Sequence, residues 1–272
     1  MKAKTVTIDG KSVNYYESVG TGSNVILVHG NSGSAKTFKK QLDSDFGQKY
    51  HVFAMDLPGH GDTAWADKVA TYSMPGYAKV LAEFAKELGI DDAVLVGWSL
   101  GGHIVLEAHN LLPKAKGFAI YGTPPLSFPP DMESAYKPNP AVNVGFMAKV
   151  SAEQAKQYAS SFFAEGSNED LAAFVEDILK TDGAAREGLF ASIVPDGYQN
   201  EVKIVAELDR PLLIMHGEGE QLVNSDYIAN LDTPTLFENE IKFISNAGHA
   251  PHWENSEDFN AILDSFITEA CS

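Results

Sequence analysis

Ala93-Val94-Leu95-Val96 runs into Gly97-Trp98-Ser99-Leu100-Gly101, which continues as Gly102-His103-Ile104-Val105-Leu106-Glu107-Ala108. The reading of this stretch decides the fold. Its apolar opening, flanked by Asp92 and Gly97, has the character of a buried parallel strand. The segment from Gly102 reads as a helix packed back on that strand. Glycines at 97 and 101 admit a bend whose close backbone contacts a Cβ would block. Such a strand-to-helix bend lifts Ser99 Oγ above the sheet and aims the first amides of the helix at the same point, the arrangement of a nucleophile elbow.

Outside this stretch, composition bounds the answer. The chain has 272 residues, 44% of them hydrophobic, enough for one large core with room for an inserted cap. With 20 basic and 37 acidic residues the formal net charge is −17, which disfavours nucleic acid and anionic membrane surfaces as partners. Cys271 is the only cysteine, so an intrachain disulfide and a thiolate metal cluster are both excluded. The stretch Met1 to Thr7 is charged and lacks the apolar run of a signal peptide. No segment approaches the roughly 20 apolar residues that span a bilayer. The expected location is the cytoplasm. There is no Gly-Lys-Ser/Thr phosphate loop and no His-Glu-x-x-His pattern, so neither a nucleotide cofactor nor a metal is expected.

Strand and helix patterns alternate along most of the chain. Val13 to Glu17 alternates like an antiparallel strand paired with Thr5 to Ile8, and denser apolar runs occupy Asn24 to Val28, His51 to Met55 and Gly117 to Tyr121. Tyr77, Val80, Leu81, Phe84 and Leu88 form a helical stripe. From Thr123 to Pro140 prolines break the rhythm. Helical patterns follow to about Ile204, including Ser151 to Phe163, with Ser151 and Gln154 spaced as a capping box, and Glu169 to Lys180. Strand patterns resume at Pro211 to Gly217 and Ile241 to Ser245, and Phe259, Ile262, Leu263 and Phe266 line a last helix. The expected architecture is a mostly parallel, twisted sheet flanked by helices: a core over 1–122 and 205–272, with a helical cap inserted over 123–204. With its elbow, this order resembles the α/β hydrolases.

Ligands of such sheets bind beyond the carboxyl ends of the strands, and other chemistry-bearing residues follow strand ends here. Ser99 needs a base. His249, in Asn246-Ala247-Gly248-His249-Ala250-Pro251 after the last strand, is selected among eight histidines by the chain order nucleophile, acid, histidine. His29, His60 and His216 each abut a glycine in a turn and are read as fixing loop geometry. A carboxylate must hold the imidazole in its working tautomer. His216-Gly217-Glu218-Gly219-Glu220 offers two, and the register favours Glu220 over Glu218. An oxyanion requires two N–H donors; these are expected from Leu100, the residue after the nucleophile, and from Asn31 in His29-Gly30-Asn31-Ser32. The Asn31 side chain is also within reach of substrate. Asp56, in Asp56-Leu57-Pro58-Gly59-His60-Gly61, reads as a structural turn beside the site.

A narrower set of motifs resembles the N-acyl-homoserine lactonases built on the α/β-hydrolase fold. It comprises His29-Gly30-Asn31-Ser32, Tyr72-Ser73-Met74, Gly97 to His103, Gly122-Thr123-Pro124-Pro125, Thr181-Asp182-Gly183, Asn246 to Pro251, and glutamate at Glu220. The likeness spans most of the chain and is weakest over Leu126 to Phe190. It implies cofactor-free opening of a lactone ring: Ser99 attacks, His249 relays the proton, and Asn31 and Leu100 hold the oxyanion. The resemblance also implies a cap tyrosine, Tyr158, facing substrate. Trp98, Phe128, Met147, Phe162 and Phe163 are candidates for an acyl pocket. A carboxylesterase of small acyl esters would use the same triad. A non-catalytic receptor for a small apolar ligand could also keep it.

Overall fold

The computed structural model describes residues 2–272; Met1, where the expected core and the N-terminal stretch begin, lies outside them. Eight strands form one sheet: β1 (Lys2–Ile8), β2 (Lys11–Glu17), β3 (Asn24–Val28), β4 (His51–Met55), β5 (Val94–Trp98), β6 (Gly117–Tyr121), β7 (Leu212–Gly217) and β8 (Lys242–Ile244), in the order β1-β2-β4-β3-β5-β6-β7-β8. β1 and β2 pair antiparallel, as do β2 and β4, and every other pairing is parallel. The apolar density of β5, β6 and β7 has a direct cause: every residue of these strands is buried, because helices cover both faces of the sheet.

Helices fill the connections. α1 (Lys39–Leu42) and α2 (Asp45–Lys49) precede β4, α3 (Met74–Glu87) precedes β5, and α4 (Leu100–Glu107) links β5 to β6. Between β6 and β7 lies the helical insert: α5 (Met132–Ala135), α6 (Ala152–Ser160), α7 (Ala172–Lys180), α8 (Gly183–Ser192) and α9 (Glu201–Glu207). α10 (Ser225–Ala229) follows β7, and α11 (Pro251–Glu254) and α12 (Ser256–Ala270) follow β8. α4 packs on β3, β5 and β6 and against α3 and α9, whereas α12 packs on β6 and β8 and against α1 and α11. The stripe expected on α12 is its buried face, with Phe259, Leu263 and Phe266 in the core.

Local rules set the helix ends. Ser73 caps α3 through its side chain, which accepts the Gly76 N–H, and Pro75 occupies the first turn, where a missing N–H is harmless. The Ser151–Gln154 capping box forms reciprocally at the start of α6. Two insert helices are shorter than their patterns. α6 stops at Ser160, so Phe162 and Phe163 fall in the turn beyond it, and α7 starts at Ala172 rather than Glu169. Among the described residues no helix is long and apolar enough to cross a membrane.

Candidate active site

The elbow is built as its glycines require. Ser99 joins β5 to α4 with φ 52° and ψ −117°, a strained conformation for a residue with a Cβ. A Cβ at Gly97 would collide with the Gly101 carbonyl, and one at Gly101 with the Val28 carbonyl at the end of β3. The strain is held by backbone bonds: Ser99 N–H donates to Tyr121 O at 2.9 Å and Gly102 N–H to Ser99 O at 2.9 Å. Thr123 Oγ1 donates to the same Ser99 carbonyl at 2.8 Å.

Ser99 and His249 line one cleft above the strand ends, together with Asn31, Leu100, His103, Tyr136 and Tyr158. The rest of its wall is largely apolar, with Met74, Leu126, Met132, Val142, Phe146 and Leu189 contributing. His249 is buried, and its Nδ1 lies 2.8 Å from Glu220 Oε2. The other Glu220 oxygen accepts the Leu222 N–H at 2.7 Å. Burial pushes the Glu220 carboxyl upward, but the charge of His249, its hydrogen bond and the Leu222 amide outweigh that and hold the group below its usual range. The neighbouring Glu218 is exposed. Of the two loop carboxylates, Glu220 alone reaches the imidazole, and with Nδ1–H given to it, Nε2 is left as the proton acceptor.

The loops that carry this pair are tied together. Gly219 N–H donates to Ala247 O at 2.8 Å, and Gly248 N–H to Glu254 Oε2 at 2.6 Å. Ala250 N–H donates to Phe162 O at 2.8 Å. Trp98, expected against substrate, does not line the cleft. Its indole N–H donates to the His249 carbonyl at 2.7 Å and its ring is 1% exposed, because it precedes the bend and points away from Ser99. Phe162 and Phe163 likewise back the site: Phe162 packs on Trp98, Tyr158 and His249, and Phe163 on Phe174. Phe128 packs on Tyr198, and Met147 accepts a weak contact from Gln154 near the surface. The apolar lining comes instead from Met74 at the start of α3, Leu126, α5, the residues between α5 and α6, α8 and Leu222.

Asn31 and Leu100 both line the cleft with Ser99. The Leu100 N–H is the first of α4 and has no helical carbonyl behind it, and the Asn31 N–H has no acceptor among the described residues. The Asn31 side chain bonds Gly145 O at 2.6 Å, so it is anchored to the helical insert. Ser32 Oγ donates to Asn31 Oδ1 at 3.2 Å and accepts from Arg186 at 3.3 Å. Arg186 is buried with no ion-pair carboxylate among the described residues, and its other donors reach the carbonyls of Met147, Ile178 and Thr181. Tyr158 faces the cleft with a hydroxyl that has no partner among the described residues, and burial keeps that phenol protonated.

The turn histidines have structural surroundings. His29 Nδ1 donates to Gly30 O at 2.8 Å while Nε2 accepts the Leu57 N–H at 3.0 Å, which fixes the loop before Asn31. Burial and the neighbouring His29 lower the pKa of His60 to about 3, so it is neutral. Asp56 accepts Asn14 Nδ2 and the N–H groups of Ala35 and Asp62, a turn anchor. Sequence reasoning passed over the pairing of His103 with Glu201, described below, and the latching roles of Arg186 and Glu254. The spacing of His103, four residues after Ser99, was a usable signal; Glu201, Arg186 and Glu254 had none. Among the described residues no group of three or more His, Cys, Asp or Glu is gathered to hold a metal ion.

Residues 25–262 match the Alpha/beta hydrolase family. A mutant of the N-acyl homoserine lactonase AidH complexed with N-hexanoyl homoserine lactone is 33% identical, with a TM-score of 0.95 over 99% of this chain and 98% of that one. AidH complexed with N-butanoyl homoserine is 34% identical, with a TM-score of 0.94 over 99% and 97%. Among curated proteins, the non-heme haloperoxidase of Rhodococcus erythropolis is 27% identical over 95% of this chain and 97% of its own length. The dihydrolipoyllysine-residue acetyltransferase component of the acetoin cleaving system of Cupriavidus necator is 26% identical over 94% of this chain, which spans 66% of that relative. The chain belongs to the alpha/beta hydrolase family and is a full-length relative of the N-acyl homoserine lactonases built on that fold.

Proposed function

We propose that this protein is a serine hydrolase that opens the lactone ring of N-acyl homoserine lactones, with Ser99, His249 and Glu220 as its triad and residues 123–204 as the cap over the acyl chain. The observation that carries the reading is His249, paired at 2.8 Å with the buried Glu220 and lining one cleft with a serine on a strained elbow. The identity of 33% to a lactonase over 99% of this chain supports a lactone as substrate, with the ring alkoxide as leaving group.

In this reading Ser99 Oγ attacks the ring carbonyl carbon as its proton passes to His249 Nε2, and the imidazolium is stabilised by Glu220. The tetrahedral oxyanion is held by the N–H groups of Asn31 and Leu100. Collapse breaks the ring C–O bond, and His249 returns its proton to the departing alkoxide. The alcohol stays tethered to the acyl group on Ser99. Water then attacks that ester, giving its proton to His249, which passes it to Ser99 Oγ as the open hydroxy acid leaves. Tyr158, with its free hydroxyl, is a donor for the substrate amide.

The test is ring opening followed by pH-stat across short and long N-acyl homoserine lactones, beside p-nitrophenyl acetate and butyrate. Lactone opening with higher kcat/KM than ester cleavage is the expected result. Fast ester cleavage with inert lactones would make the protein a carboxylesterase with the same triad.

A further inference from the structure

A second imidazole–carboxylate pair faces the same cleft. His103 lies in the first turn of α4, four residues after Ser99, and both line the cleft. His103 Nδ1 sits 2.8 and 3.0 Å from the two oxygens of Glu201, at the start of α9. Glu201 is fully buried and also accepts the Leu126 N–H at 2.8 Å. This arrangement gives the Nδ1 proton to Glu201 and turns Nε2 toward the cleft.

Among the described residues the hydrogen-bond partner of Nε2 is the Tyr136 hydroxyl at 3.4 Å, at the outer limit of a hydrogen bond. Tyr136 is itself a cleft residue, and burial keeps its phenol protonated and a donor. The remaining wall here is Leu126, Met132 and Leu222. A plain hydrocarbon chain against this wall would leave the two polar groups with only their long contact, a costly arrangement away from water. A substrate oxygen between them would take the Tyr136 O–H, and a substrate hydroxyl could also donate to Nε2.

We propose that His103 and Tyr136, braced by Glu201, form a polar subsite that selects substrates whose acyl chain carries a further carbonyl or hydroxyl oxygen, in an N-acyl homoserine lactone one beyond the amide common to all of them. The inference rests on the reading of the cleft as the site of acyl hydrolysis by Ser99, but not on the leaving group being a lactone.

The test is a ratio, kcat/KM for an oxygenated chain over kcat/KM for its plain counterpart. One pair is N-(3-oxohexanoyl) and N-hexanoyl homoserine lactone; the other is the p-nitrophenyl ester of 5-oxohexanoate and that of hexanoate. The wild-type ratio is expected to be about tenfold, the worth of one well-placed hydrogen bond. Tyr136→Phe removes one oxygen and keeps the ring's packing, and it should bring the ratio down toward one. His103→Gln should lower it in the same direction. A wild-type ratio near one overturns the proposal. So does a loss shared equally by both members of each pair, the signature of a structural latch. Inert lactones with a responsive ester ratio would sustain the subsite and remove the lactonase reading; active lactones with an unmoved ratio would do the reverse.

Discussion

Glu220→Gln removes one charge and keeps the shape of the side chain. In the folded protein Glu220 Oε1 accepts the Leu222 N–H at 2.7 Å and Oε2 faces His249 Nδ1 at 2.8 Å. An amide must keep its oxygen on the Leu222 N–H, so its NH2 group is turned toward Nδ1. Nδ1 then becomes an acceptor, and the imidazole proton moves to Nε2, where a proton from Ser99 has to arrive. The variant therefore holds the wrong tautomer. It also loses the counter-charge for the imidazolium, worth about 4 kcal/mol at an effective dielectric of 20 and 4 Å between charge centres. Carboxylate-to-amide substitution in a serine protease triad costs about 10⁴ in kcat, or about 5 kcal/mol, so the two figures agree in scale. The expected result is a fall in kcat of about 10³ to 10⁴ for lactone and p-nitrophenyl butyrate alike, with KM little changed and the thermal midpoint within a few degrees of wild type. A kcat within tenfold of wild type would refute the reasoning, as would a comparable loss in Glu218→Gln, whose side chain is exposed.

Ser99→Ala should lose about a million-fold in turnover while still binding lactone by calorimetry; hydrolysis within tenfold of wild type would sink the mechanism, and lost turnover without bound ligand would point away from this cleft. Gly101→Ala places a Cβ against the Val28 and His29 carbonyls at the end of β3, backbone atoms that cannot step aside. The expected cost exceeds about 2 kcal/mol despite better helix propensity, a drop of at least about 5 °C in thermal midpoint, and an unchanged midpoint would contradict the packing argument. Burial raises the Asp177 carboxyl to about 7, opposed by the Ser34 hydroxyl bound at 2.6 Å. Between about pH 4 and 7 the folded state then binds more protons than the unfolded one, so this residue makes stability fall as pH rises. Asp177→Asn should match wild type near pH 4 and exceed it at pH 8 by up to about 4 kcal/mol; denaturant midpoints at the two pH values check this, and a pH-independent difference would count against it.

The legible part of the site was the part written in one chain segment. Ser99 and its glycines are contiguous, and the segments that carry Asn31, Glu220 and His249 follow apolar strands, so local pattern and chain order single out these positions as candidates. The Ser151–Gln154 capping box was legible for the same reason. Trp98 lies outside the cleft lining because at the end of β5 the indole turns to brace the His249 carbonyl, a contact across the fold that local pattern does not record. Phe162 and Phe163 lie in the turn beyond the end of α6 at Ser160 and are buried as core, which the periodicity of α6 does not show.

The sequence by itself determined the parallel sheet, the elbow and the chemistry of its strand ends, because buried runs, backbone-permissive glycines and caps act over a few residues. Only the tertiary structure decided which side chains meet across the insert. His103 with Glu201, Arg186 with Ser32, and Asn31 with Gly145 join residues about 100 or more positions apart. No periodicity records such pairs, because what selects them is the need to satisfy polar groups buried together when the insert closes over the sheet.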